Sequence, residues 1–160
     1  MIDPSNRVFT NVMLYVQHAY DGTLNIHFQN SNTVTPEKLP SVSVVQQDCY
    51  EADVDLSPGD PDVDYSVRST VQIDTYSSKS PTEAKEIMDA ACKAMRGMAY
   101  SRINGPYDLT AKTRPNYYRY VARFARVVST LDEIPRYNFD PDTPDTPDTP
   151  DDNDNDNGGN

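Results

Sequence analysis

Residues 71–95, VQIDTYSSKSPTEAKEIMDAACKAM, restrict the fold of this chain more than any other segment. Val71 and Ile73 alternate with polar residues, which is the pattern of a strand with one buried face. A short serine-rich turn follows, and then Ser80, a proline and Glu83 form a helix start with a capping box. A strand joined so closely to a capped helix predicts a domain in which helices pack on a sheet.

Strand, polar turn and helix is also the layout of a phosphate-binding loop. Such a loop needs glycines, so that backbone N–H groups can approach the ligand, and usually a lysine at the helix start. The turn SSKSPT has no glycine, and Pro81 removes one N–H group from the helix start. We therefore interpret the turn as a structural cap and expect no nucleotide or other cofactor.

The remaining elements complete an α+β pattern. Behind Asp3 and Pro4, apolar residues spaced by four predict a first helix of about four turns: Val8, Val12 and Val16. Residues 29–40, interrupted by two prolines, are predicted to be a loop. The predicted strands are residues 41–48, 67–73, 106–111 and 116–128. The order α-β-β-α-β-β predicts a small, mostly antiparallel sheet of about four strands packed against two helices.

Residues 140–160, DPDTPDTPDTPDDNDNDNGGN, differ sharply from the rest of the chain in composition. They contain eight aspartates, no lysine or arginine, and no apolar residue apart from proline. Such a segment cannot bury enough surface to offset the entropy lost on ordering, so we expect a disordered tail after a single domain of residues 1–139. The whole chain carries −11, which leaves −3 for that domain.

The sequence gives little support to metal binding or catalysis. A calcium-loop template matches at four positions: Asp53, Asp55, Ser57 and Asp64. The position that requires glycine is Pro58, which cannot adopt a positive φ. The two histidines stand in no motif, and Cys49 and Cys92 are too few for a disulfide framework. We expect a non-enzymatic protein with no metal site, no signal peptide and no membrane span.

Opposite charges are segregated along the chain. Residues 48–64 hold seven acids and no base, whereas residues 93–126 hold eight bases and one acid. Complementary surfaces of this kind can join subunits head to tail in a ring. Alternatively, arginines interleaved with tyrosines can bind single-stranded nucleic acid, here through Tyr118, Arg119, Tyr120 and Arg123. A third interpretation is that the two regions neutralise each other within one subunit.

Three segments together resemble the tail-completion and tail-terminator proteins of long-tailed bacteriophages: VRSTVQIDTYSS, SPTEAKEIMDAACKAM and YYRYVARFARVV. In that family a V-x-I strand is followed by a Ser/Lys turn and an Ala-rich helix. The matching positions here are Val71, Ile73, Asp74, Tyr76, Ser78, Lys79, Ala84 and Ile87. The aromatic spacing of the family's last strand corresponds to Tyr120, Phe124, Val127 and Val128. The resemblance covers roughly residues 5–129, and the acidic tail departs from it.

The resemblance implies a subunit of a hexameric ring in the virion, made in the host cytoplasm. Such a ring caps the tail tube, ends its polymerisation and joins it to the head connector protein, while DNA passes through the lumen without being read. Acidic residues in the lumen would repel the DNA phosphates. The candidate interface or lumen residues are Asp53, Asp55, Asp60, Asp62, Asp64, Arg68, Arg119, Arg123 and Arg126. A head–tail connector protein of similar topology is a further alternative.

Overall fold

The computed structural model describes residues 3–31, 35–52, 66–129 and 134–137, which form two helices and a five-stranded sheet. The elements are α1 (Ser5–Tyr20), β1 (His27–Gln29), β2 (Ser41–Glu51), β3 (Ser66–Ser77), α2 (Pro81–Gly97), β4 (Ser101–Asp108) and β5 (Tyr118–Ser129). The strand order is β1-β2-β3-β5-β4, and only the β1–β2 pairing is parallel. The predicted α+β domain, with a sheet packed against helices, is confirmed.

One strand more than predicted is present, and the sheet is mixed. Strand β1 begins just before the predicted loop and pairs in parallel with the start of β2. Leu24, Ile26 and Phe28 alternate with polar residues and pack on the core. This alternation is the signal that sequence reasoning passed over, because three paired residues are very few for a strand. The order α-β-β-β-α-β-β therefore replaces the predicted one.

Strand β4 also differs from the predicted strand of residues 106–111, because it begins earlier, at Ser101, and ends at Asp108. Its pairing with β5 shifts register twice, between Arg102 and Asn104 and between Asn104 and Tyr107. Gly105 lies in the second shift with φ +80, and a Cβ there would overlap the Val121 carbonyl oxygen. Only glycine fits this position, since both its dihedral angle and its close approach to β5 exclude a side chain.

The start of α2 is tied to the end of β3. The Ser80 hydroxyl accepts a hydrogen bond from the Glu83 amide at 3.1 Å, so the predicted cap is confirmed. The second half of the capping box differs, because the Glu83 carboxylate accepts from the Ser77 hydroxyl of β3 at 2.6 Å. At α1, Asp3 accepts from the Ser5 amide at 3.0 Å, although Pro4 occupies the N-cap.

Both helices pack on one face of the sheet and form the core with it. The apolar side of α2 and the residue that ends it are fully buried: Ala84, Ile87, Met88, Ala91, Met95 and Met98. From the sheet, Val71, Ile73 and Phe124 meet it, and Val12 of α1 completes the contact. Each fully buried Val, Ile, Met or Phe side chain of this layer contributes about 1.5–3 kcal/mol to stability.

Residues 134–137, which we call the clamp, bind across the two helices. The Tyr137 hydroxyl donates to the Ala94 carbonyl of α2 at 2.8 Å. Burial raises the pKa of Tyr137 to about 12, so the hydroxyl keeps the proton that it donates. The buried Asn11 side chain of α1 accepts from the Tyr137 amide at 3.1 Å and donates to the Pro135 carbonyl at 2.6 Å. The clamp therefore fastens α1 to α2.

Replacing Tyr137 tests the clamp. Tyr137→Ala removes a buried ring and is expected to lower the free energy of unfolding by about 3–5 kcal/mol. Tyr137→Phe removes only the hydrogen bond and should cost about 1 kcal/mol. Urea unfolding followed by circular dichroism gives both values. Tyr107→Ala, at a side chain 53% exposed, is the control and should change stability by less than about 0.5 kcal/mol. Equal losses at both tyrosines would contradict a clamp.

Candidate interaction surface

The face of the sheet away from the helices is called the open face below. Residues paired across antiparallel strands project to the same side of a sheet, and neighbours along a strand project to opposite sides. Ile73 pairs with Ala122 inside the core, so Gln72 and Arg123, which pair one position away, lie on the open face. The open face carries Tyr50, Arg68, Gln72, Asp74, Tyr76, Ile103, Asn104, Tyr107, Arg119, Val121, Arg123, Ala125 and Val127.

Four polar side chains form a continuous row on this face, which we call the polar ladder. Arg119 donates from Nε at 2.9 Å and from Nη2 at 2.6 Å to one carboxylate oxygen of Asp74. Gln72 donates to the other oxygen at 2.8 Å. The Gln72 carbonyl then accepts from Nε of Arg123 at 2.9 Å. The ladder Arg119–Asp74–Gln72–Arg123 therefore links β3 to β5 by side chains as well as by backbone.

Asp74 is nearly inaccessible, with 4% of its side chain exposed, against 22% for Arg119. A buried carboxylate requires a close cation, and Arg119 supplies it. Burial alone would lower the pKa of Arg119, but the hydrogen bond and charge of Asp74 outweigh it and raise the pKa. The guanidinium also lies 5.6 Å from the centre of the Tyr76 ring, which contacts Tyr117. The charge of Arg119 is therefore neutralised by Asp74 within its own subunit.

The ladder also corrects the prediction for β3. The alternation at residues 67–73 predicted a strand buried on one side only. Instead, every residue from Val71 to Ser77 is buried, because Arg119 and Tyr117 cover the second side near Tyr76. The sequence pattern placed Gln72 and Asp74 on the solvent-facing side of the strand, whereas both are buried and hydrogen-bonded to each other. No local sequence signal marks them, because Arg119 pairs with Tyr76 and reaches Asp74 only diagonally across the two strands.

The structure distributes the predicted site residues unevenly. Arg68, Arg119 and Arg123 lie on the open face, as a predicted interface would require. Arg126 lies on the helix side, where its Nη1 donates to the Met98 carbonyl at the end of α2. The predicted acidic candidates lie outside the described residues: Asp53, Asp55, Asp60, Asp62 and Asp64. The calcium-loop match and the tail at residues 140–160 lie outside them as well.

The residues of the nucleic-acid alternative are divided between two faces. Tyr120 packs against the core on the helix side and pairs with Thr75, whose hydroxyl donates to α2. Tyr118 lies two positions before Tyr120 on β5 and therefore projects to the same side of the sheet. Arg119 and Arg123 lie opposite, and the charge of Arg119 is compensated by Asp74. A stacking platform of alternating tyrosines and arginines is therefore not assembled on one surface.

Large apolar side chains are exposed on the open face and at its rim. Their exposed fractions are about one half: Tyr50 54%, Tyr107 53%, Ile103 52%, Leu109 51% and Val127 45%. Two shallow grooves run between them. One, of about 410 Å³, is lined by Arg68, Ile103 and Val127, and the other, of about 180 Å³, surrounds Arg123. Exposed apolar side chains that line grooves together, as Ile103 and Val127 do in one and Tyr107 and Leu109 in the other, make this face the candidate interaction site.

The two edges of the sheet are poor templates for adding a strand. Strand β1 has three residues, and β4 is interrupted by two register shifts. Short and bulged edges disfavour strand-to-strand association. Contacts with another protein are therefore better served by the open face than by either edge.

Other kinds of site have less support. No group of three or more His, Cys, Asp or Glu that could hold a metal occurs within residues 3–31, 35–52, 66–129 and 134–137. Cys49 is exposed and Cys92 buried; neither forms a disulfide, and burial raises the pKa of each thiol. Among the helices just described, none has the length and apolar character to cross a bilayer. Compared with known proteins, the chain matches no family model and no curated protein.

A double-mutant cycle tests the ladder. Arg119→Gln leaves the Asp74 carboxylate buried without its cation and is expected to cost about 3–5 kcal/mol of stability at neutral pH. Adding Asp74→Asn should recover part of that loss, with a coupling of about 1–3 kcal/mol in urea unfolding. Lys112→Gln, at an exposed turn position, is the charge-matched control. Strictly additive losses at positions 74 and 119 would contradict a coupled pair.

Proposed function

We propose that the protein is a virion structural subunit of a long-tailed bacteriophage. Six copies form a ring that caps the tail tube, ends its polymerisation and joins it to the head connector protein. The open face is the observation that carries the proposal, since it offers a rigid, partly apolar surface for a partner. The resemblance over residues 5–129 supplies the place of such a subunit in the virion.

The chemistry of the open face fits assembly. Interfaces bury an apolar centre and surround it with charged groups that select the partner. Here Val127 and Ile103 provide apolar area, while Arg68 and Arg123 provide cations. No carboxylate of the described residues lies within 4.0 Å of either cation. Because the chain carries a net charge of −11, a neighbouring copy offers acidic side chains that can pair with these two arginines.

The rigidity of the open face supports the same use. Backbone pairing of β3, β4 and β5 holds its residues, and the polar ladder locks β5 to β3. A preordered surface loses less entropy on association than a mobile one. Since the strand edges disfavour sheet extension, we expect neighbouring subunits to meet through faces. Acidic residues in the lumen, which the resemblance implies, would repel the DNA phosphates.

Native mass spectrometry and negative-stain imaging test the proposal directly. Purified protein is expected to form rings, alone or after addition of tail tubes, and tubes bearing it should stop growing. Preformed tubes of the same phage are the partner, and heads without tails are the control for connector binding. A protein that stays monomeric and also ignores tail tubes would contradict the proposed function. Binding to heads alone would favour the head–tail connector alternative.

A point variant tests whether the open face forms the contact. Val127→Asp places a carboxylate in the apolar centre beside Arg68, its cross-strand neighbour, and is expected to weaken association at least about tenfold, because the charge must be desolvated and competes with the partner for Arg68. Thr82→Asp, at an exposed position in the first turn of α2, is the matched control and should assemble normally. Concentration-dependent light scattering gives both affinities. Unchanged assembly of Val127→Asp would show that the interface lies elsewhere.

A further inference from the structure

Arg123 is an exposed cation with a fixed position. Its Nε donates to Gln72, which Asp74 and Arg119 hold in turn. This bond uses one of the five N–H groups of the guanidinium, and it is the only hydrogen bond that Arg123 makes within the described ranges. The two terminal nitrogens are therefore available to a carboxylate, which can bind a guanidinium through two parallel hydrogen bonds.

The groove around Arg123 also has an apolar wall. Tyr107, Leu109 and Val121 line it, with Asn104 beside them. Its volume of about 180 Å³ is small, close to the size of one large side chain. A ligand that fits must therefore present an apolar or aromatic group next to a carboxylate. An extended acidic peptide with one aromatic residue has this chemistry, whereas a phosphate alone would leave the apolar wall uncovered.

The chain itself contains such a peptide immediately after the clamp. Residues 138–142 read NFDPD. Of the four phenylalanines, Phe139 is the one followed by an acid, Asp140, and Asp142 comes two positions later. Pro141 favours an extended backbone at the residue before it. An aromatic side chain and a carboxylate are thus adjacent on a short segment whose starting point is known.

This segment cannot reach the groove of its own subunit. Tyr137 is bound to Asn11 and Ala94 in the helix layer, on the far side of the sheet from Arg123. Two residues carry an extended chain at most about 7 Å. Packed layers of secondary structure are about 10 Å apart, and the Arg123 side chain projects from the far face of the sheet. Phe139 therefore reaches a groove only on another copy.

We propose that residues 138–142 of one subunit dock in the Arg123 groove of the next, with Phe139 against Tyr107 and Leu109 and with Asp140 on the Arg123 guanidinium. This inference rests on the proposed ring and specifies its junction. The contact is heterologous, since a tail segment meets a groove, and such contacts close into a ring when the rotation per subunit allows it.

A peptide assay measures the docking itself. The probe is a fluorescent peptide of residues 136–147, and the receptor is the full chain with Phe139→Ala and Asp140→Asn, so that its own segment does not compete. Anisotropy should show saturable binding that weakens with salt. Arg123→Gln in the receptor should weaken it at least about tenfold. Lys85→Gln, at an exposed site on α2, should leave it unchanged.

The same assay can overturn the proposal. Absence of binding would do so, and so would binding indifferent to both Arg123→Gln and a Phe139→Ala change in the peptide. If the wild-type chain forms rings but the peptide does not bind, the proposed function is retained and this junction is excluded. Peptide binding by a chain that never forms rings or binds tubes would exclude the proposed function and keep the docking.

Mixing two variants tests the direction of the contact. One carries Arg123→Glu and an intact segment, and the other carries an intact groove with Phe139→Ala and Asp140→Asn. Each alone should fail to associate, while their mixture should give one-to-one dimers by native mass spectrometry, because one groove and one segment remain. Circular dichroism verifies that both fold as the wild type does. A mixture that stays monomeric would overturn a tail-in-groove junction.

Discussion

The ion pair between Asp74 and Arg119 is the constraint on which the rest of the molecule depends. Asp74 is buried on the central strand, so β5 must place a cation within reach of it, and Arg119, which pairs with Tyr76, reaches it diagonally. A slip of one residue in the β3–β5 pairing would turn Arg119 into the helix layer and push Phe124 out of the core. One electrostatic requirement therefore sets the register, and the register decides which side chains the helices cover and which remain for a partner.

Local signals made much of the fold predictable. The cap of α2, the apolar spacing of α1 and the strand at residues 116–128 each depend on residues close in sequence, and all three were predicted. Strand β1 was missed because its stability comes from pairing with β2, not from its three residues. The polar ladder was beyond sequence reasoning, since Arg119 and Asp74 are 45 positions apart and meet only through strand register.

The surface was only partly predictable, for a physical reason of its own. Arginines of β5 were expected at an interface. Their positions along the strand place Arg123 on the open face and Arg126 on the helix side, which composition does not reveal. Exposure of Val127 and Ile103 depends on both helices choosing the opposite face of the sheet. From sequence alone, an apolar residue in a strand is expected to be in the core. Whether it is buried depends on which face of the sheet the helices cover. The sequence therefore pointed to charge, and the fold added the apolar surface beside it.

The clamp has a consequence for the time at which a subunit becomes complete. Asn11 is fully buried in α1, and its partners Pro135 and Tyr137 follow 124 and 126 positions later. During synthesis, packing α1 before those residues emerge leaves a polar side chain unsatisfied, at a cost of about 1–3 kcal/mol. Only when residues 135 and 137 have been made can Asn11 form both of these hydrogen bonds, so the helix layer is completed at the end of the domain's synthesis.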